Sequence, residues 1–353
     1  MSFNSLGRIF KFSTWGESHG KAIGAVIDGA PSGVSLDESF IQYYLDKRRP
    51  GSSAYVSQRK EQDKVNILSG VFQGKTTGAP ISLIIYNQDH RSTDYEYIKD
   101  KFRPGHADYA YWKKYGHYDY RGGGRASGRE TALRVAAGAV ARKILGDKIN
   151  ILGAVIQIGK EQIDYDNFSW PEAQSNPLRC PDKLCVPRWE KYLQELAKQK
   201  SSIGAVVELH AENVPPGLGE PIYHKLDAAI AYAIMSIGAV KGVEIGSGFK
   251  AAAMQGLEHN DEMCTDHKFL SNNNGGVLGG ISSGQDIIVR FAVKPTSSLA
   301  VSQRTIDIEA KDIDIALEGG RHDPCIGIRA VAVGEAMLAC VLADFCLLNK
   351  RFG

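Results

Sequence analysis

Three short patterns recur in the same order along this chain of 353 residues, and no other feature constrains its architecture as tightly. Gly24-Ala-Val-Ile-Asp followed by Pro31-Ser-Gly is echoed by Gly204-Ala-Val-Val-Glu followed by Pro216-Gly. Ser69-Gly-Val, the run to Tyr86 and then Arg91-Ser are echoed by Gly280-Ile-Ser, the run to Val293 and then Thr296-Ser. Gly123-Gly-Arg125 before an apolar stretch is echoed by Gly319-Gly-Arg321 before another. The order suggests a duplicated α/β unit, its halves meeting near residue 150 within one domain over 1–353. Chance matching of glycine-rich turns is the competing reading, and halves of different topology would remove the duplication.

The elements within each half follow from periodicity. Val- and Ile-rich runs at Ala25–Asp28, Ile81–Tyr86, Val206–Leu209 and Ile287–Val293 predict strands. Apolar spacing predicts helices over Glu130–Leu145, Pro221–Ile237 and Arg329–Leu348. Several of these begin just after a Gly/Arg cluster, which sets helix N-terminal N–H groups beside the cations.

Composition narrows the class of protein. A 43% hydrophobic content supports a full core. The net charge of +2 does not indicate a nucleic acid or membrane partner. Locally the picture differs. From Arg103 to Arg134, seven cations (Arg103, Lys113, Lys114, Arg121, Arg125, Arg129, Arg134) face three acids (Asp108, Asp119, Glu130). A focused positive region in a nearly neutral chain suits a small anion. The six cysteines have neither redox nor zinc spacing, and no HExxH or paired Cys/His set exists, so no metal is expected. No secretory segment or membrane-length apolar run stands out, which points to a cytoplasmic setting.

Two nucleotide-binding look-alikes fail on spacing. Gly70-Val-Phe-Gln-Gly-Lys-Thr76 has three residues between its glycines where a phosphate loop has four, so strand–turn–strand is the better reading. Gly246-Ser-Gly248-Phe-Lys-Ala251 fits G-x-G-x-x-A, but the residues after it make a poor helix.

Four motifs carry chemistry. Trp15-Gly-Glu-Ser-His19-Gly presents a histidine on a glycine-flanked turn, where it can exchange protons near neutral pH. Phe102-Arg-Pro-Gly-His106-Ala-Asp108 presents Arg103 and His106 together. Tyr120-Arg-Gly-Gly-Gly-Arg125-Ala-Ser127-Gly-Arg129-Glu-Thr131 joins a flexible backbone, arginine forks and a helix start. Lys294-Pro-Thr-Ser-Ser298 and Gly319-Gly-Arg321-His-Asp323-Pro-Cys325 offer hydroxyls, cations and a carboxylate. Taken singly, each is also compatible with an ordinary surface turn.

Together, in this order and spacing and across essentially the whole chain, these motifs resemble the chorismate synthase family. The resemblance implies an anti-1,4-elimination of phosphate from 5-enolpyruvylshikimate 3-phosphate, closing the shikimate pathway with reduced FMN and no net redox change. It implies an α+β fold, a β-α-β sandwich with helices between two antiparallel sheets, in a homotetramer. By position, His19 would protonate the departing phosphate and His106 the reduced flavin. Asp323 would help flavin N5 take the C6 proton, and Ser127 would orient this group. The flavin would rest on Arg125, Ala126 and Ser127, on Gly238 and Ala239, on Gly279, on Lys294, Pro295, Thr296, Ser297 and Ser298, and on Arg321. Arg48, Arg103, Arg129 and Arg321 would bind the substrate anions. The lack of large insertions resembles the monofunctional bacterial type, for which NADPH matters only indirectly, as the source of reduced flavin.

Two positions depart from the family pattern: Ala54 stands where an arginine is common, and Gly238 where asparagine is. Arg49 or Arg59 could replace the missing contact. A flavin- or anion-binding module without this chemistry is the second reading those departures leave open.

Overall fold

The computed structural model describes residues 3–49, 62–88, 96–317 and 323–352. Arg321, the Arg91-Ser and Gly319–Arg321 parts of the echoes, Ala54 and Arg59 lie outside the described residues. The first half runs β1 (Ser5–Leu6), β2 (Lys11–Trp15), β3 (Ala22–Asp28), helix α1 (Glu38–Arg48), β4 (Val65–Ser69), a hairpin β5 (Val71–Phe72) and β6 (Lys75–Thr76), then β7 (Ile81–Tyr86). After α2 (Asp108–Tyr115) comes the long helix α3 (Thr131–Leu145). The sheet order is β1-β2-β3-β7-β4, every pairing antiparallel. Alternation sets its register: Ile23, Ala25 and Ile27 of β3 lie opposite Ile85, Leu83 and Ile81 of β7, and all six are buried.

The second half runs β8 (Asn150–Ile158), β9 (Glu161–Gln162), α4 (Trp170–Ser175), α5 (Val186–Lys198), β10 (Ala205–Glu212), α6 (Leu226–Met235) and β11 (Val240–Ile245). It continues through α7 (Gly256–His259), the hairpin β12 (Val277–Leu278) and β13 (Ile281–Ser282), β14 (Ile287–Val293), a ribbon β15 (Gln303–Ile306) and β16 (Asp312–Ile315), and α8 (Gly327–Phe352). Its antiparallel sheet has the order β11-β14-β10-β8-β9. Taking β2, β3, β4 and β7 as counterparts of β8, β10, β11 and β14 gives the same order in both sheets, and α3 and α8 follow at corresponding places.

Helix α3 packs along α8; α3 also touches β2 and β3, and α8 touches β8 and β10. Gly138 lets the two helix backbones meet, since a Cβ there would lie 2.4 Å from the Ala336 Cβ. By length and composition α8 could cross a membrane, but 78% of its apolar window is buried inside the molecule, so it is a core helix.

The expected strands and helices are present, with local corrections. Gly70–Thr76 is the β5–β6 hairpin. Gly246 and Gly248 do not open a long helix, only a 3-10 turn over Gly248–Ala253; a Cβ at Gly246 would strike the Asn273 carbonyl oxygen at 2.2 Å. That glycine therefore serves a loop–loop contact. The helix expected from Pro221 begins only at Leu226, because Glu220 and His224 close a turn through a 3.0 Å backbone hydrogen bond. All six cysteines are free thiols.

Candidate active site

The centre of the site is the glycine turn. Gly122, Gly123 and Gly124 have φ of 60°, 91° and 52°, a run of left-handed backbone that only glycine adopts without strain. The reason for three glycines is contact as well as conformation. A Cβ at Gly122 would lie 2.4 Å from Cδ2 of His19, and one at Gly123 would lie 2.9 Å from Cε1 of His106. The bare backbone thus lies against two imidazoles that are far apart in sequence. Ser18 ties the His19 loop to the turn by donating its N–H to the Gly124 carbonyl at 3.4 Å. Arg121 spends its fork on Asp119, at 2.8 Å through each of two nitrogens, and so braces the turn. Arg125 points back to the first sheet, reaching the Thr14 hydroxyl at 3.0 Å and Asn4 Oδ1 at 3.1 Å. Ala126 follows half-buried, and Ser127 Oγ accepts from the Arg129 N–H at 3.3 Å, capping the 3-10 turn that leads into α3.

Beside the turn lies a buried ion cluster. Arg48, at the end of α1, and Arg129 both donate to the carboxylate of Asp63, and all three are buried. Arg129 Nε also donates to Asn87 Oδ1 at 2.9 Å, and the Asn87 amide donates to the carbonyls of Glu17 (3.2 Å) and Gly20 (2.8 Å). The arginine pair is thereby linked to the His19 loop. Arg48 further donates to the Gly128 carbonyl at 3.2 Å.

His106 has its own support. Its Nδ1 lies 2.7 Å from Oδ1 of Asp108, the first residue of α2. Arg103 binds the same carboxylate through Nε and Nη2, each at 2.7 Å. Burial alone would raise the Asp108 carboxyl, but Arg103 and His106 override it and hold the group far below the usual carboxylate range. Burial pushes the His106 pKa down; the bond to Asp108 opposes this, and the charges of Arg103 and Lys294 add to it.

The C-terminal motifs converge on the same region. Lys294 follows β14; its Nζ donates to the Gly105 carbonyl at 2.5 Å and its N–H to the Ala239 carbonyl at 2.9 Å. Gly238 and Ala239 form the turn before β11, with Ala239 at φ 73°. Ser202 Oγ donates to the Thr296 carbonyl at 2.8 Å while the next N–H, of Ile203, donates to the Pro324 carbonyl at 2.9 Å, so Pro295–Ser298 and Asp323 are held by neighbouring residues. Buried Asp323 accepts from Arg329 at 2.9 Å, and Arg329 Nε donates to the Arg48 carbonyl at 3.0 Å. Gly279 stands apart: it lies in the exposed β12–β13 turn, next to Gly280, whose carbonyl accepts from Leu226 N–H at 2.8 Å. That is the N-terminal end of α6, a helix roughly 15 Å long whose other end precedes the Gly238 turn. Among the described residues no group of three or more His, Cys, Asp or Glu is disposed to hold a metal.

Sequence reasoning missed Asp63, Asn87, Asp108 and Arg329 as site supports. Only Asp108 carried a signal, two residues after His106 inside a motif already singled out.

Two imidazoles on a bare backbone turn, beside a buried arginine pair on an α+β scaffold, are groups suited to proton exchange next to a small anion. Comparison with known proteins makes this specific. The profile of the family described as chorismate synthase matches residues 10–347. A chorismate synthase from Hyphomonas neptunium is 59% identical over 99% of each chain, and one from Pelagibacter ubique is 58% identical over 99% of each. A crystal structure of a chorismate synthase aligns with a TM-score of 0.75 at 35% identity, covering 99% of this chain and 94% of that one. The chain belongs to the chorismate synthase family.

Proposed function

We propose that this chain converts 5-enolpyruvylshikimate 3-phosphate to chorismate by anti-1,4-elimination of phosphate, with reduced FMN as cofactor. The observation that carries the reading is the convergence of His19 and His106, from separate motifs, on the Gly122–Gly124 turn. In this reading Arg48 and Arg129 hold the substrate's anionic groups, because guanidinium forks keep their charge in a dry site. His19 delivers a proton to the departing phosphate. Asp323 takes part in removing the C6 proton, and Ser127 orients that exchange. Arg103 is read as a further clamp that also supports Asp108, which accepts from its Nε and Nη2 as Asp63 accepts from Arg48 and Arg129.

The residues present fit a flavin nucleotide. Gly128 and Gly238 leave open backbone, with nothing within 4 Å of a Cβ at either, and at Gly105 a Cβ would make only ordinary contacts, 3.6 Å from Ser297 and 3.9 Å from Lys294 Nζ. Lys294, the Thr296–Ser298 hydroxyls, Arg125–Ser127 and Gly238–Ala239 are the groups that would hold it, with Gly279 and Arg321 as further contacts. When bound, reduced FMN supplies a transient electron that promotes phosphate loss. His106 holds a proton on the side facing the glycine turn.

The matching strand orders support a duplicated unit, and the helix contacts support a sandwich with α3 and α8 between the sheets. We read the assembly as a cytoplasmic homotetramer; the outward apolar side chains Tyr223, Phe249 and Leu257 suit faces covered by other copies.

The test is an anaerobic assay of purified protein with dithionite-reduced FMN and substrate. Chorismate is the expected product, and none from correctly folded protein overturns the reading. An aerobic arm with NADPH and oxidised FMN should give no turnover; product there would contradict the monofunctional type.

A further inference from the structure

We propose that Asp108 is a positioning residue for His106, fixing the imidazole so that only Nε2 gains and loses a proton. The inference rests on the reading of His106 as a proton carrier, and its geometry is independent of any ligand. Asp108 is buried, and both its oxygens are engaged: Oδ2 by Arg103 Nε, Oδ1 by Arg103 Nη2 and by His106 Nδ1, each at 2.7 Å. An ionised carboxylate can only accept hydrogen bonds, so the ring nitrogen facing it must be the one that bears hydrogen. The neutral imidazole is therefore the Nδ1–H tautomer, with its lone pair on Nε2.

Nε2 is also the nitrogen that meets the glycine turn: a Cβ at Gly123 would lie 3.0 Å from it. The absence of a side chain at 123 lets the ring keep this position against the turn. The same logic runs through catalytic triads, where a buried carboxylate sets the tautomer of a histidine without taking its proton. Here Arg103 plays the additional part of keeping the carboxylate charged. The other groups that act on this pair are Lys294, whose charge lowers the His106 pKa, and Tyr118, whose hydroxyl is pushed up to about 12 by burial and by Asp108.

The substitution Asp108→Asn separates charge and tautomer from shape. Arg103 needs an acceptor, so the asparagine Oδ1 turns to it and the NH2 group faces Nδ1. The neutral imidazole should then switch to the Nε2–H form and its pKa should fall, since the favourable carboxylate is gone.

Long-range 1H–15N correlation spectra of flavin-free protein read this directly, with the His106 signal assigned by its loss in His106→Gln. The wild type should show Nδ1 protonated and Nε2 bare above the pKa, and Asp108→Asn should show the reverse. Turnover of the variant should fall by roughly 10²–10⁴. An Nε2–H tautomer in the wild type overturns the proposal and needs no variant. So does an unswitched tautomer in folded Asp108→Asn, or a switched one with near-normal turnover. If the wild type shows the Nδ1–H form and the variant switches, yet wild type makes no chorismate, the tautomer assignment stands and the proposed function fails.

Discussion

One methyl group at position 122 would test how the glycine turn works. Its carbon would sit 2.4 Å from Cδ2 and 2.5 Å from Nε2 of His19, closer than any real contact, so the buried ring would have to move. Gly122→Ala also meets left-handed strain, at φ 60°. Gly116 separates the two effects: its φ is 70°, and nothing lies within 4 Å of a Cβ there. Both alanine variants should lose about 1 kcal/mol to left-handed strain in denaturant titrations, and Gly122→Ala about 1–3 kcal/mol more because the buried ring must move. Only Gly122→Ala should also lose turnover, by roughly 10²-fold, the scale of a displaced proton donor. Equal kinetic losses in the two variants would remove the contact from the explanation. Asp63 makes a complementary point about buried charge. It stands between Arg48 and Arg129, and leaving two buried cations without it is the costly kind of change, unlike loss of an exposed ion pair.

Among elements, the α3–α8 contact decides a sign. Alanine is about 1 kcal/mol better than glycine inside a helix, so Gly138→Ala would stabilise α3 if propensity ruled. A Cβ at 138 would lie 2.4, 2.5 and 2.9 Å from the Cβ, Cα and carbonyl oxygen of Ala336, two of them backbone atoms of a buried helix. Overpacking of that kind costs about 1–3 kcal/mol, so we expect net destabilisation in urea unfolding; a stabilised variant would show that the helices can part freely. The same contact illustrates what the sequence reveals. Runs rich in Val and Ile located β7 and β14 with their observed ends, and apolar helical spacing located α3 and α8 within a few residues. The glycines and arginines of the site stood out because few residue types meet left-handed backbone or fork-like anion binding. The start of α6 was misplaced because a tertiary turn, Glu220 to His224, competes with local helical spacing. Asp63 and Asn87 were invisible for a related reason. They serve Arg129 from 66 and 42 residues away, and nothing local in sequence encodes that proximity.

At the scale of the whole molecule, the chain's two ends and its buried ionisable groups make stability depend on pH in a definite direction. Asp344 of α8 accepts the backbone N–H groups of Arg8, Ile9 and Phe10 at 2.9, 2.7 and 2.9 Å, so the last helix anchors the first strands. His224 stacks on the neighbouring Phe345 ring at 4.6 Å; burial and the charge of Arg8 push its pKa below the ordinary 6.5, as burial does for His106. A histidine with a lowered folded pKa binds fewer protons than in the unfolded chain, so stability rises with pH from its folded pKa up to 6.5. The depressed carboxylates act in the same direction at lower pH. Asp261 is held down to about 2, against burial, by hydrogen bonds from Ser271, Asn273 and Asn274, and Glu208 is lowered by His210, Tyr165 and Arg290. Their contribution is present above the ordinary carboxylate range and is lost as pH falls through their folded values. Asp286 opposes them, because burial raises its carboxyl, but it is one group against several. The unfolding temperature should therefore climb between about pH 5 and 7 and drop again below about pH 4. His106→Gln should flatten the upper slope and, by removing one of the groups that hold Asp108 down, weaken the acid limb only in part, because Asp261 and Glu208 are untouched. An unfolding temperature that is level or falls from pH 5 to 7 would mean that His106 and His224 meet water as freely in the folded chain as in the unfolded one.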